Sequence, residues 1–575
     1  MSAATSFLGA TWTARPYEPA RAGAIAQEHG LSPTAARCMA IRWPTPRDRV
    51  LTPSRDHLLD PYTMHRMDEA ISCLQATGER GGRIRIVTDY DVDGTTSSLL
   101  LQAAMGVRWP DAHIDYHIPD RFTEGYGFSV AAAQAAARDG VEMIVTADIG
   151  VRDHAAIEAA TDAGLQVLVA DHHLPAGEAV PDRGIILCPP QRDCSYENPA
   201  LAACGVSLKL GQALLSGHRH ESKIVRSMLK LSAIGTVADM VDLRTPENRA
   251  IVRLGLDALN EDRHQAGLQA LLKVSGCTPG NIETSDIGFR IGPRINAAGR
   301  LTHAAHVIEL LRCRDPNRAA VLAAELDQVN RERQRLQRAL SSQCLAQLGS
   351  PPRAFVVVSG PEHEGFHRGI VGIVASRLKD KTRRPVAVVS IQGALAVGSV
   401  RSVPGLHAVE ALDSVSDLLV KYGGHPAAAG FTLHAQHLDA FAQRLAAWAE
   451  ARQGQEPPPH QVAFDTTITP ADLTERLYRE LQQLGPYGQG NPAPTLVVQG
   501  VQAHRIQPLG KDQKHLRFQL STPHGPLKAI WWNGATYQRA LGAGPLDLMG
   551  QLEHNHYRGV TTLQFNATDA RPSTP

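Results

Sequence analysis

The chain has no Cys-x-x-Cys pair and no zinc-like spacing among its eight cysteines, which removes thiolate metal sites and points to reduced thiols in a cytoplasmic protein. It has no apolar run of the roughly 18 residues that a helical membrane span needs. The first residues, Met1 to Gly9, lack a charged n-region and a long apolar core, so no signal peptide is expected. Charge of one sign is missing as well. The net charge is +1, so a polyanion would have to be held by a local basic groove and not by a global field. What is present is ordinary for a globular protein: 43% hydrophobic and 20% charged residues. At 575 residues the chain exceeds one core, and three or four domains are expected.

The most informative stretch is Thr88-Asp-Tyr-Asp-Val-Asp-Gly-Thr-Thr96, with aspartates at 89, 91 and 93 directly after the apolar run Ile84-Arg-Ile-Val87. The run predicts a buried strand, and Gly94 followed by Thr95–Leu101 predicts the turn into a helix. Carboxylates crowded at a strand end repel one another in a dry site, and a divalent cation is the counter-charge that relieves this.

Between Gly82 and about Leu243, apolar runs alternate with helix-like segments, which implies a mostly parallel sheet with helices on both faces and a site at the carboxyl ends of its strands. Three predicted strand ends carry metal-type residues: Asp89/Asp91/Asp93, Asp148, and Asp171-His172-His173. Asp239 closes an apolar helix and is a fourth candidate. Carboxylate and imidazole without thiolate suit Mn²⁺ best and Mg²⁺ next. The donors outnumber the needs of one ion, so two ions about 3.5–4 Å apart are expected, with hydrolysis of a phosphate ester or anhydride as the chemistry.

The aspartate motif followed by Asp171-His172-His173 resembles the DHH phosphoesterase superfamily. Ile291-Gly-Pro-Arg-Ile-Asn-Ala-Ala-Gly-Arg-Leu301, Gly398-Ser-Val-Arg-Ser402, Gly423-Gly-His-Pro-Ala-Ala-Ala-Gly430 and Leu484-Gly-Pro-Tyr-Gly-Gln-Gly-Asn-Pro-Ala-Pro494 are similar to segments of the RecJ exonuclease family within it. The resemblance implies Asp91, Asp93, Asp148, His172 and Asp239 as metal ligands, with Asp148 bridging both ions and Asp89 ligating or supporting. It turns His173 toward the phosphate or an ion, and it assigns Ser399 and Arg401 to an anion pocket for a 5′-terminal phosphate. It also implies 5′→3′ hydrolysis of single-stranded DNA to mononucleotides in recombination and repair, alongside a helicase and a single-strand-binding protein.

Other contacts are read from residue chemistry. Arg121, in Asp120-Arg-Phe-Thr-Glu-Gly-Tyr-Gly127, is a candidate phosphate clamp. Residues 285–301 read as a constrained crossing connection that offers Arg294, Asn296 and Arg300 to nucleic acid. His425 is a phosphate donor among small residues. Lys514, Arg517 and a tryptophan, Trp531 or its neighbour Trp532, are a backbone-and-base-binding set on a small barrel.

The expected architecture is α/β. Residues 1–80 form a cap on the next domain, 81–316 a DHH catalytic domain, 317–350 a connector helix decorated by Arg331, Arg333, Arg335 and Arg338, 351–452 a DHH-associated α/β domain, and 460–575 an OB-like β-barrel with a disordered tail from Ala570. Two lobes joined by one helix could exclude a duplex of about 20 Å width, a physical cause for single-strand preference. The competing readings are a small-substrate phosphodiesterase or pyrophosphatase, and an inactive single-strand-binding scaffold.

Overall fold

The computed structural model describes residues 5–44, 51–175, 179–457, 459–557 and 560–573. Parts of the expected segments fall outside them: residues 1–4 and 45–50 of the cap, 176–178 of the catalytic domain, Pro458 just before the barrel, and 558–559 and 574–575 of the barrel and its tail. The chain divides into two compact units, one of residues 1–265, 276–292 and 460–575, the other of 266–275 and 293–459.

The first unit begins with β1 (Thr11–Ala14), α1 (Pro19–His29), α2 (Pro33–Arg42) and α3 (Met67–Glu79). A parallel sheet follows, built from β2 (Ile84–Thr88), β3 (Ile114–His117), β4 (Met143–Ala147), β5 (Gln166–Ala170) and β6 (Ile185–Leu187) in the order β3-β2-β4-β5-β6. Between the strands run α4 (Val92–Arg108), α5 (Val130–Arg138) and α6 (His154–Asp162). Beyond them lie α7 (Ala203–Leu214), α8 (Glu221–Ala238) and α9 (Pro246–Leu259). Side chains alternate across the sheet as the two-residue period demands. Ile84, Ile86, Met143, Val145 and Leu168 join one core with Leu74, Leu100, Met105, Leu208 and Met228. Val87, Ile144, Val167 and Val169 join another with Ala133, Ala136, Ile157 and Ala160. Burial on both faces is why the strands read as continuous apolar runs.

The second unit holds α10 (Ala266–Val274), a 31-residue helix Pro316–Ala346, and a five-stranded sheet. The strands are β7 (Val356–Pro361), β8 (Val386–Gln392), β9 (Leu395–Arg401), β10 (Leu419–His425) and β11 (Ala428–His434), in the order β10-β11-β9-β8-β7. The arginines of the long helix are largely occupied along it: Arg331 pairs with Asp327, Arg335 with Glu332, and Arg333 with Asn330 and Gln337. Residues 285–301 are not the loop-like connection expected. They form a π-helix, Ile287–Ile291, that continues as the α-helix Gly292–Leu301. Gly292 and Pro293 follow the π turn, where the Gly292 N–H donates to the Ile287 carbonyl five residues back.

The chain then returns to the first unit with β12 (Gln461–Phe464), β13 (Thr466–Ile468), β14 (Leu496–Val501), β15 (Ala503–Leu509), β16 (His515–Leu520), β17 (Leu527–Trp531), β18 (Leu546–Tyr557) and β19 (Val560–Pro572). Seven of these make one sheet in the order β13-β14-β18-β19-β17-β16-β15. Two expectations are corrected here. Residues 1–80 do not pack as a single cap on the next domain. β1 pairs in parallel with β12, and α1 and α2 bury Ile25, Met39 and Trp43 in the barrel core, while Met64, Met67, Ile71 and Leu74 pack on the β2–β6 sheet. Ala570 does not begin a disordered tail. It is fully buried in β19, and its carbonyl accepts from the Phe7 N–H.

No helix among the described residues is long and apolar enough to cross a membrane.

Candidate metal centre and nucleic-acid contacts

Sheet register assembles the centre. Thr88 of β2 lies level with Ala147 of β4, and Ala147 with Ala170 of β5. The next residue of each strand is Asp89, Asp148 or Asp171, so three aspartates leave adjacent strands at one level. Gly94 permits the tight turn out of β2, because a Cβ there would sit 2.5 Å from the Asp89 carbonyl oxygen. Asp91 caps α4, with one carboxylate oxygen accepting from the N–H groups of Asp93 (2.8 Å) and Gly94 (3.2 Å). The Asp93 carboxylate accepts from Ala203 N–H (2.8 Å) and Cys204 N–H (3.0 Å) at the start of α7. Asp148 has a left-handed backbone, φ 65°, which a non-glycine residue adopts only at a cost that its surroundings must offset. Asp239 ends α8.

These groups converge. Asp93, His172 and Asp239 form one cluster and Asp89, Asp91 and Asp148 another; within each, the candidate ligand atoms lie within 4.8 Å of one another, and Asp148, His172 and His173 overlap both. His172 Nε2 is 3.3 Å from Asp148 and 3.9 Å from Asp93, and its Nδ1 is 3.7 Å from Asp239. The electrostatics favour a cation. Burial, then Asp91, pushes Asp89 well above the usual carboxylate range. Burial, then Asp93, does the same to Asp148 and moves Asp239 up to about 9. Burial holds His172 down, toward the neutral imidazole that ligates. His172 Nε2 is buried and finds no hydrogen-bond partner among the described residues. A buried polar atom left open amid carboxylates that resist ionising together fits a divalent cation.

Asp171 plays a different part from its neighbours. One of its carboxylate oxygens accepts from His172 N–H (2.7 Å), His173 N–H (3.2 Å) and His173 Nδ1 (2.8 Å), and the other from Val151 N–H (3.0 Å). Burial alone would raise it, but the His173 hydrogen bond and charge outweigh this and bring it to about 2. An ionised carboxylate only accepts, so His173 carries its proton on Nδ1 and turns Nε2 toward the Tyr126 hydroxyl at 3.4 Å. The sequence places Asp171 at a strand end but assigns no role to Asp171 or Tyr126. The histidine two residues on was the available signal for Asp171.

Arg121 is not a solvated surface arginine. Its guanidinium stacks 4.0 Å from the Tyr90 ring centroid, between Asp89 and Asp91 in sequence, and its Nε is buried with no hydrogen-bond partner among the described residues. In the second unit Arg294 is engaged by Asp327 at 2.9 Å, and Arg300 donates to the Gly369 carbonyl at 3.3 Å. Asn296 is half-buried on the same helix. Arg401 Nη1 donates to Ser399 Oγ (2.6 Å), two residues back on β9, and burial lowers its pKa. A Cβ at Gly372 would lie 2.9 Å from the Arg401 guanidinium and 3.2 Å from Ser399 Oγ. Gly372 is in the first turn of the helix Val371–Thr382, so serine, arginine and a helix N-terminus meet. His425 ends β10 and is exposed.

On the barrel, Lys514 and Arg517 are exposed; Lys514 pairs with Asp512 and Arg517 with Gln507. Trp531 is a correction. It is 3% exposed and stacks on Tyr537 within the barrel core, so it offers no face to a base. Trp532 is 51% exposed, with its ring edge-on to His515. Replacing Trp532 by alanine should weaken binding of a single strand by about 1–3 kcal/mol while leaving the melting temperature in place. Trp531→Ala should do the reverse. Fluorescence anisotropy with thermal melts separates the two.

Comparison with known proteins agrees with this anatomy. The DHH family N-terminal domain matches residues 83–236, the DHHA1 domain 353–451 and the RecJ OB domain 464–569. The chain is 34% identical over 521 residues to the single-stranded-DNA-specific exonuclease RecJ of Bacillus subtilis, covering 89% of this chain and 64% of that relative, just under two thirds of its length. It is 34% identical over 530 residues to the Salmonella typhimurium protein of the same name, covering 88% of this chain and 90% of that one. The crystal structure of RecJ in complex with Mn²⁺ from Thermus thermophilus superposes with a TM-score of 0.82 at 30% identity, over 98% of this chain and 80% of that chain.

Proposed function

The chain belongs to the RecJ family of DHH phosphoesterases, and from that membership we propose that it is a metal-dependent exonuclease that hydrolyses single-stranded DNA from a 5′ end to mononucleotides. The observation that carries the reading is the set of overlapping clusters Asp89/Asp91/Asp148, Asp148/His172/His173 and Asp93/His172/Asp239, with an open imidazole nitrogen on His172. Asp91, Asp93, Asp148, His172 and Asp239 would hold two ions, Mn²⁺ or Mg²⁺, with Asp148 serving both and Asp89 ligating or supporting. When bound, the ions supply an activated water and neutralise charge on the phosphate oxygens. His173, with its proton fixed by Asp171, and Arg121 face the phosphate and steady it.

We assign 81–316 to the catalytic domain, 317–350 to the connector helix, 351–452 to the DHH-associated domain and 460–575 to strand binding. Arg294, Asn296, Arg300, His425, Lys514 and Arg517 serve the strand, and Trp532 takes the stacking role. Ser399 and Arg401 receive the 5′-phosphate. Arg401→Ala should therefore lower the preference for phosphorylated over hydroxyl 5′ ends by about tenfold, the value of one charge-assisted contact. Competition between the two ends reads this directly, and an unchanged ratio removes Arg401 from the role. Recombination and repair in the cytoplasm, beside a helicase and a single-strand-binding protein, are the setting that the family membership supports.

A small-substrate phosphodiesterase is disfavoured, since it would have no use for an OB domain. A scaffold is disfavoured because no ligand of the set is missing. Strands labelled at the 5′ or 3′ end, with a duplex control, in Mn²⁺, Mg²⁺ and EDTA, test the reading. Release from the 5′ end alone, sparing of duplex and silence in EDTA are expected. Strand binding without cleavage in either metal would favour the scaffold.

A further inference from the structure

The segment Leu484–Pro494 was distinctive in the sequence, yet the reaction does not use it. It follows the helix Glu475–Gln482 and leads into β14, but it is more than a connection. Asn491, fully buried, donates through Nδ2 to the carbonyls of Leu484 (2.9 Å) and Pro486 (2.9 Å), and its own carbonyl accepts from Gly488 N–H (2.9 Å), which folds the segment into a rigid loop. That loop seats on residues 242–249. Leu243 N–H donates to the Gln489 carbonyl (2.9 Å). Arg249, fully buried on α9, donates to the carbonyls of Leu484 (3.1 Å) and Gly485 (2.7 Å), and its guanidinium lies 4.8 Å from the Trp43 ring. Two glycines make the approach possible. A Cβ at Gly488 would lie 2.7 Å from Leu243 Cδ1. One at Gly490, where φ is +73°, would lie 2.0 Å from Asp242 Oδ1.

The seat begins three residues after Asp239. Asp89 and Asp148 are placed by strand ends, and Asp93 is clamped by two α7 amides. Asp239 sits at a helix end, followed by Met240 in a left-handed conformation, φ 61°, and then by the residues the loop grips. Its carboxylate is 3.7 Å from His172 Nδ1, beyond hydrogen-bonding distance, so backbone placement fixes it.

We propose that the Leu484–Pro494 loop is a positioning element of the metal centre, whose seating on Asp242 and Leu243 sets the aim of Asp239. The proposal rests on the metal reading above. It makes the barrel's lead-in part of the catalytic apparatus without touching substrate.

Gly490→Ala tests it, with Mn²⁺ binding followed by calorimetry and electron paramagnetic resonance. The expected result is native circular dichroism with one of the two ions bound about 10- to 100-fold more weakly, the usual effect of disturbing a ligand's support. Hydrolysis should return at high Mn²⁺, a rescue that a general loss of structure would not give. Adding Asp242→Ala to Gly490→Ala removes the clashing carboxylate and should recover much of the affinity. Gly525→Ala is the control, because Gly525 is also left-handed (φ +105°) but has open space around its Cβ; Mn²⁺ affinity should not change. Gly488→Ala meets only the end of a leucine side chain and should weaken the ion in the same direction by less, which keeps the test available if Gly490→Ala does not fold. Wild-type Mn²⁺ affinity in a folded Gly490→Ala or Gly488→Ala protein overturns the proposal. Unchanged Mn²⁺ binding by Asp93→Ala would instead overturn the metal reading itself.

Discussion

An Asp93→Ala protein should lose hydrolysis of single-stranded DNA by more than about a thousandfold while it still binds the strand. Asp93 is 1% exposed and faces His172 from 3.9 Å, so its loss opens the cluster at the centre and not at the rim. Two effects must be separated. The carboxylate also accepts from the amides of Ala203 and Cys204, and alanine leaves both donors buried and unpaired, at about 1–3 kcal/mol each. Asp93→Asn keeps an acceptor for one amide while removing the charge a cation needs. Loss of turnover in both variants, with the asparagine form the more stable, assigns the defect to the metal. Strand binding should survive because Lys514 in the loop before β16, Arg517 on β16 and Trp532 just after β17 share no hydrogen bond with Asp93. Mononucleotide release measured beside anisotropy in EDTA decides it. Equal turnover by variant and wild type sinks the ligand assignment.

Much of this centre was legible because its signals are local. Short apolar runs ending in aspartate recur, and an all-parallel sheet delivers successive strand ends to one edge. The sequence does not state that Thr88, Ala147 and Ala170 are level, but a buried sheet tolerates little slippage, so the level follows from the apolar pattern. What stayed hidden depends on partners far along the chain. Trp531 and Trp532 are adjacent, and only the register of β17 against β16 and β19 decides which faces inward. The pairing of β1 with β12 joins residues some 450 positions apart, and no local pattern announces it. Asp171 has no role that the sequence assigns; the backbone amides that saturate it come from the segments after two different strands, β4 and β5, whose geometry the sequence leaves open. The helix at 287–301 was obscured by Gly292, Pro293 and Gly299, residues that usually punctuate loops and here sit in helical positions.

The second large effect concerns the frame behind the centre, and Glu247→Ala should show it. Lys209 on α7 and Glu247 on α9 pair at 2.7 Å with side chains 0% and 2% exposed. Glu247 also accepts from the Tyr196 hydroxyl (2.9 Å), Asn198 Nδ2 (3.2 Å) and Leu59 N–H (3.0 Å), while Lys209 donates to the Leu59 carbonyl at 2.6 Å. Burial pulls the Lys209 pKa down, and the charge and hydrogen bond of Glu247, with a smaller contribution from Asp60, only partly restore it, so the ammonium depends chiefly on the Glu247 carboxylate. Alanine at 247 strands a buried cation and three donors, and should cost about 3–5 kcal/mol, read by urea unfolding. Replacing both partners, as in Lys209→Met with Glu247→Leu, removes the charges together and should cost far less, because desolvating an ion pair consumes most of what its attraction returns. A double variant as unstable as the single one would mean that the surrounding donors, and not the ion pair, dominate. The consequence reaches the metals through α7. Lys209 stands less than two helical turns from Ala203 and Cys204, whose amides hold Asp93, so loosening this pair in a protein that still folds should weaken Mn²⁺ binding in step with stability.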